Sequence, residues 1–283
     1  MRSSTLLASW DGGRTMGRNH GETVDVDNVR KAFGTEGDRP FIAVEGVSLR
    51  LAGGEFVSIV GPSGCGKSTL MLMVAGLLRP TAGEVRIGGR RLSGPVTDVG
   101  IAFQDHLLLD FRTAIDNVLL QAAIRRLPMA PLKERAKQLF AQLGIETAMD
   151  KYPRQLSGGM QQRVNIARAL VHDPPLLLMD EPFASLDALT RMDIRGDLEA
   201  LWMDRQPTVL FITHNVEEAV GLSDRVVVMS ASPGQILEII DVDLSRPRPL
   251  STGSSPKFGA YVERILEHFE RSGVLRRRGA LGK

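Results

Sequence analysis

Short alternating or apolar runs broken by Gly and Pro fill the first third of the chain, at Val24 to Val29, Phe41 to Leu51, Glu55 to Val60 and Glu84 to Ile87. That pattern predicts strands of a largely antiparallel layer. Further on, Asp98 to Phe103, Leu176 to Met179 and Thr208 to Thr213 are apolar almost throughout, as expected of strands covered on both faces. Arg225 to Met229 and Gln235 to Ile240 add two more strands. Helical spacing appears over Thr113 to Arg126 and, beyond Pro128 and Pro131, over Leu132 to Leu143. It recurs from the Ser157 cap to about Val171, over Ala188 to Met203 and over Phe258 to Arg271. Strands interleaved with helices predict an α/β sheet, with the block from Leu107 to Leu143 as a helical insertion.

One junction carries unmistakable chemistry. Phe56 to Val60 runs into Gly61-Pro62-Ser63-Gly64-Cys65-Gly66-Lys67-Ser68-Thr69 and then into the helical Leu70 to Ala75. This is G-x-x-x-x-G-K-[ST] in the strand, loop and helix setting it requires. The glycines let the backbone wrap a phosphate chain and aim successive N–H groups inward, and the following helix adds its dipole. Lys67 is expected to reach the β- and γ-phosphates, and the Ser68 hydroxyl to ligate magnesium. A bulky maleimide on Cys65 is expected to block ATP binding.

Other polar groups stand at the ends of buried strands, where α/β sheets place their ligands. Gln104 follows one such strand; it is either a plain polar terminus or a group offering its carbonyl to a metal and its amide to water. Asp180 and Glu181 close another, the first placed to hold magnesium and the second, pointing the other way, to polarise a water. His214 closes a third and can hydrogen-bond a γ-phosphate. Ser157-Gly158-Gly159 opens a helix as a good N-cap with bare first-turn amides, either a simple cap or a second anion site. Phe33, with Phe41 as its competitor, is an aromatic able to stack on adenine.

Composition narrows the setting. The 283 residues carry a net charge of +2, with basic residues dispersed apart from Arg276-Arg277-Arg278, so nucleic acid is not an expected partner. That triplet reads as a solvated tail. Apolar stretches fall short of the roughly 20 residues of a membrane span. One cysteine excludes an internal disulfide and suits a reducing compartment. Met1 to Glu22 shows no periodicity and is expected to be disordered, with Met16 an alternative start.

With the phosphate loop, Gln104, Leu156 to Arg163, Asp180-Glu181, Ser185-Leu186-Asp187 and His214 in that order, the chain resembles the ATP-binding subunit of an ABC transporter over about Val24 to Asp243. L-S-G-G-x-Q-Q-R followed by L-L-x-M-D-E-P is the specific part. The resemblance implies a P-loop NTPase (RecA-like) core with an antiparallel β subdomain and an inserted helical subdomain at about 105–171. The ATPase domain would span 23–243, with 244–283 as linker, helix and basic tail. It makes Gln104 a γ-phosphate sensor that contacts the membrane subunit, Ser157 to Gln161 the signature motif, Asp187 part of the D-loop and His214 the switch histidine. Two cassettes would pair head to tail, so that Ser157, Gly158 and Gly159 act on the partner's ATP, while Ser68, Gln104 and Asp180 would serve Mg2+. Phe103 to Val118, Ser232-Pro233-Gly234 and Leu244 to Pro249 look like the nitrate, sulfonate and taurine importers. Permease subunits, an extracytoplasmic solute-binding protein and a place at the cytoplasmic face of the membrane follow from that likeness.

The competing reading is a soluble ABC ATPase acting on DNA or ribosomes. Relatives that act on DNA separate loop and signature by long coiled coils, whereas Lys67 and Ser157 are 90 residues apart. Those acting on ribosomes carry two cassettes in one chain. A P-loop kinase or GTPase would leave the signature unexplained. Exporters usually fuse their membrane domain to the cassette.

Overall fold

Two sheets of different character meet around the phosphate loop in the computed structural model, which describes residues 21–34 and 40–272. The smaller is antiparallel, in the order β2 (Phe41–Leu51), β1 (Val24–Phe33), β4 (Ala82–Ile87), β5 (Arg90–Arg91). The larger runs β10 (Ile236–Asp241), β9 (Arg225–Met229), β3 (Phe56–Val60), β8 (Thr208–Thr213), β7 (Leu176–Asp180), β6 (Gly100–Ala102). All its pairings are parallel except β9 with β10.

The apolar runs are continuous because the large sheet is covered on both faces. Phe56 of β3, Leu177 and Met179 of β7, and Val209 and Phe211 of β8 enter one core with Phe140, Phe183 and Trp202. The alternate residues Val57, Ile59, Leu176, Leu178, Leu210 and Ile212 enter another with Met71 of the helix after the loop and Val24 and Leu49 of the antiparallel sheet. A period of two thus survives inside an unbroken apolar run. The helical insertion covers the first face.

Several boundaries differ from those expected. The helix expected over Thr113 to Arg126 is two, α2 (Ala114–Val118) and α3 (Leu120–Arg125), joined at Leu119. The next helix, α4 (Met129–Gln142), begins before Pro131, which its first turn accommodates because those N–H groups lack intrahelical partners anyway. A short helix at Val216–Leu222 (α7) was not foreseen. Of the extension expected to be disordered, 1–20 lies outside the described residues; the backbone oxygen of Glu22 accepts a 2.6 Å hydrogen bond from Thr208 Oγ1. The Arg276 to Arg278 run also lies outside them.

The Pro-rich segment Arg246-Pro247-Arg248-Pro249, read as a linker, is packed into the protein. Arg246 pairs with Glu199 at 3.0 Å and Asp224 at 2.9 Å, and its guanidinium lies 4.2 Å from the centroid of the Trp202 ring. Arg248 is only 5% exposed and donates to the carbonyls of Val220, Ser223, Val242 and Leu244. Burial, with Arg246 alongside, lowers its pKa to about 10. Glu199 also accepts from the Arg248 backbone N–H at 2.9 Å, so one carboxylate serves both arginine residues. Beyond this clamp, helix α8 (Pro256–Arg271) lays Phe258, Ile265 and Phe269 onto α7, β9 and β10. Removing one partner of a buried charged network costs about 3–5 kcal/mol. Glu199→Ala is expected near the lower figure, because Asp224 still faces Arg246; urea unfolding checks this, and an unchanged midpoint would contradict it.

Candidate functional site

The phosphate loop leaves the end of β3 and enters α1 (Lys67–Val74), whose N-cap, Gly66, has φ 95° and no side-chain cap. A Cβ at Gly66 would sit 2.5 Å from the Ala43 carbonyl oxygen, so the close passage over β2 admits no side chain. Lys67 Nζ donates to the carbonyls of Gly61 at 2.9 Å and Pro62 at 3.0 Å, which draws the ammonium back over the loop. Pro62, Ser63, Gly64, Ser68 and Thr69 stand at least partly open to solvent. Cys65 behaves differently from expectation. Its side chain is 1% exposed, and burial raises the thiol pKa against the opposing pull of Lys67. The thiol is therefore a packing group beneath the loop, not an accessible handle on it.

Strand register then assembles the rest. β3 pairs Val60 with Thr213 of β8, and β8 pairs Ile212 with Asp180 of β7, so the loop, Asp180 and His214 emerge at one edge. Burial raises the Asp180 pKa, helped by Glu181 and opposed by the nearby Ser68 hydroxyl and Lys67. Glu181 is not placed by strand alternation. It lies past the end of β7 with φ 45°, left-handed, its N–H on the Ile212 carbonyl at 2.8 Å. Such a backbone costs a non-glycine residue about 1–3 kcal/mol. The turn brings Glu181 Oε2 within 2.9 Å of His214 Nδ1. A carboxylate and an imidazole in contact beside a phosphate loop can take a proton from water and hold an anionic oxygen.

Gln104 lies exposed, two residues beyond β6. Its loop is held from behind by α5 (Gly158–Leu170), a lock the sequence reading missed. Asn165 donates to the Phe103 carbonyl at 3.2 Å, Arg168 to those of His106 and Leu107 at 2.7 Å, and Gln162 meets His106 at 2.6 Å. These polar residues share the inner face of α5, and their helical spacing was the available signal.

At the other end of α5, Ser157 caps Met160 N–H while Gly158 stays open. Gln161 Nε2 points back to the carbonyls of Pro153 and Leu156 at 3.0 and 3.3 Å, bracing the turn. A Cβ on Gly159 would lie 2.7 Å from Thr190 Cγ2, so the turn sits against the start of α6 (Ala188–Arg205). Asp187 caps α6 through Leu189 and Thr190 N–H, and the Thr190 hydroxyl above all, then these amides, lower its pKa. Among the described residues no hydrogen bond joins Ser157 to Gln161 with the phosphate loop. Phe33, 41% exposed, pairs across the strand with Phe41 and has Lys31 Nζ 5.1 Å from its ring centroid.

Residues 44–184 match the family model described as ABC transporter. The chain is 45% identical over 241 residues to an uncharacterized ABC transporter ATP-binding protein of Methanocaldococcus jannaschii, covering 85% of this chain and 89% of that protein. The chain belongs to the ABC transporter ATP-binding family. It is also 39% identical over 253 residues to the aliphatic sulfonates import ATP-binding protein SsuB of Bacillus cereus, covering 89% of this chain and 98% of that one. Among solved structures, the dimeric ABC transporter cassette MJ0796 superposes with a TM-score of 0.70 at 32% identity, over 78% of this chain and 100% of its own.

The ABC assignment makes this an ATP-binding, ATP-hydrolysing chain, and the fold is the P-loop NTPase architecture expected. No described helix is long and apolar enough to cross a membrane. Instead an apolar groove of about 440 Å³, lined by Leu77, Val96, Ile101, Leu120 and Ile124, opens between the helical insertion and the sheet, beside the Gln104 loop. For the phosphate loop the checkable consequence concerns Cys65. At pH 7.5 the thiol of the intact chain is expected to react with maleimide far more slowly than a free cysteine, because both burial and a raised pKa reduce the thiolate. A rate equal to that of a small thiol would contradict this placement.

Proposed function

We propose that the chain is the energy-coupling ATPase of an importer for a sulfonate, nitrate, taurine or a similar small solute, working as a head-to-tail homodimer on permease subunits at the cytoplasmic face of the membrane. The observation that carries the catalytic part is the 2.9 Å contact between Glu181 and His214, beside the loop that holds Lys67. The SsuB relative, matched over nearly its whole length, supports the solute class. Dimerisation is supported by the dimeric cassette and by the two helix N-termini, α1 and α5, that one chain carries apart.

In this reading the loop amides of Gly61 to Thr69 and Lys67 bind the β- and γ-phosphates of ATP, and Phe33 stacks on adenine. Ser157, Gly158 and Gly159, steadied by Gln161, close over the partner's γ-phosphate, with Asp187 at the dimer seam. Ser68 and Asp180, close to each other, offer oxygen donors only, which suits magnesium; the Gln104 carbonyl is a third candidate. Held by these residues, Mg2+ would supply charge neutralisation to the phosphates. Glu181 takes the proton of the attacking water, and His214 holds both that carboxylate and the γ-phosphate in line. The groove beside Gln104, with Leu107 exposed in its lining, receives a cytoplasmic segment of the permease. A solute-binding protein completes the importer outside the cell.

The test is Glu181→Gln. Loss of a general base costs about 10² to 10⁴ in rate, so the variant should bind ATP at wild-type affinity and hydrolyse it slower by that factor. Turnover near wild type would remove Glu181 from the role. Recovered with ATP from detergent-solubilised membranes of its source, the same tagged variant should bring a polytopic membrane protein with it; soluble DNA or ribosomal partners alone would overturn the importer reading.

A further inference from the structure

We propose that Arg191 and Glu218 are positioning residues that join the Asp187 loop to the turn carrying His214, so that the two move as one. The inference rests on the catalytic reading of His214 and Asp187 above. Glu218 stands in the first turn of α7 and is 7% exposed. Its Oε2 accepts from Thr213 Oγ1 at 2.6 Å, and Thr213 Oγ1 accepts in turn from Asn215 N–H at 3.0 Å. Asn215 Oδ1 accepts from Glu218 N–H at 3.1 Å. These bonds enclose residue 214 between its neighbours and leave the imidazole to Glu181.

The other carboxylate oxygen, Oε1, faces Arg191 Nε at 3.5 Å. Arg191 also donates through Nη2 to the Leu186 carbonyl at 2.8 Å, one residue before Asp187. A single guanidinium therefore touches both loops. Nε makes an ion pair without hydrogen-bond geometry and is buried without another acceptor, so the contact has room to tighten. Burial raises the Glu218 pKa, against the Thr213 bond, Arg191, His214 and Arg195, and those groups are what keep a carboxylate tenable there.

The contact is not needed to hold the helices together. At its far end α7 is already tied to α6, because Arg246 bridges Glu199 to the Leu222 carbonyl. What Arg191 and Glu218 add lies at the loop ends, where Leu186 and Thr213 flank the reacting region.

The experiment is steady-state ATPase of the full chain for wild type, Glu218→Gln, Arg191→Met and the double variant, with His214→Ala as reference. Glutamine is isosteric and its amide oxygen can still accept from Thr213. Each single variant is expected to lower kcat about tenfold with KM for ATP changed by less than about twofold, and the double variant to fall no further than either. Multiplying losses in the double variant, or a KM that rises in step with the fall in kcat, would overturn the relay. If Arg191→Met does not fold, Arg191→Lys keeps the charge but cannot serve both acceptors, and an unchanged kcat there would overturn it too. Wild-type kcat in Glu218→Gln with an inactive His214→Ala defeats the relay alone. Wild-type kcat in His214→Ala defeats the site reading beneath it.

Discussion

Backbone pairing of β3, β8 and β7 in parallel register is the constraint on which the remaining geometry depends. Each strand is buried on both faces, so a slip of one residue would exchange two cores and is strongly opposed. With register held, Val60, Thr213 and Asp180 end side by side, and the loop and turns that follow them must share one edge. Lys67, Asp180, Glu181 and His214 come from positions far apart in the chain, yet no long-range side-chain contact is required to bring them together. Hydrogen bonds between main chains do it.

On that rigid edge the protein keeps left-handed backbones at Gly64, Gly66 and Glu181. Gly66 takes a positive φ that only glycine meets cheaply, while Glu181 takes one that its own side chain opposes. The second is maintained by the Ile212 carbonyl on its N–H and by His214 on its carboxylate. Strain kept at a functional turn by neighbours that over-determine it is a form of preorganisation. Arg191 and Glu218 extend the support outward from that edge, while the Arg246 and Arg248 clamp fastens the far ends of α6 and α7.

Much of this was legible in the residues. Continuous apolar runs located the central strands because burial on two faces leaves no polar positions, and the loop motif located its own strand and helix. A local signal carried Ser157 as a cap, whereas the caps at Thr113 and Asp187 came from the structure. What escaped was long-range pairing of charge. Arg246 and Arg248 beside two prolines look like a solvated linker, and nothing near them announces that Glu199, 47 residues earlier, waits in the interior. Helix α7 was missed because at seven residues it spans barely two turns of periodicity, although Asn215 and Glu218 have the spacing of a capping box. The side chain of Glu218 turns to Thr213 instead, a choice only the fold could reveal. Burial of Cys65 was equally invisible, since the loop motif constrains the backbone and says nothing about which way that side chain faces.

The central claim is that the open signature turn of one copy completes the phosphate loop of another. The most direct measurement is crosslinking of the chain carrying Ser63→Cys and Gly158→Cys, both exposed positions, by a short bis-maleimide with and without ATP in the Glu181→Gln background. The account predicts a covalent dimer joining residue 63 of one copy to residue 158 of the other, formed only with nucleotide. A product confined to single chains, or a dimer indifferent to ATP, would contradict it.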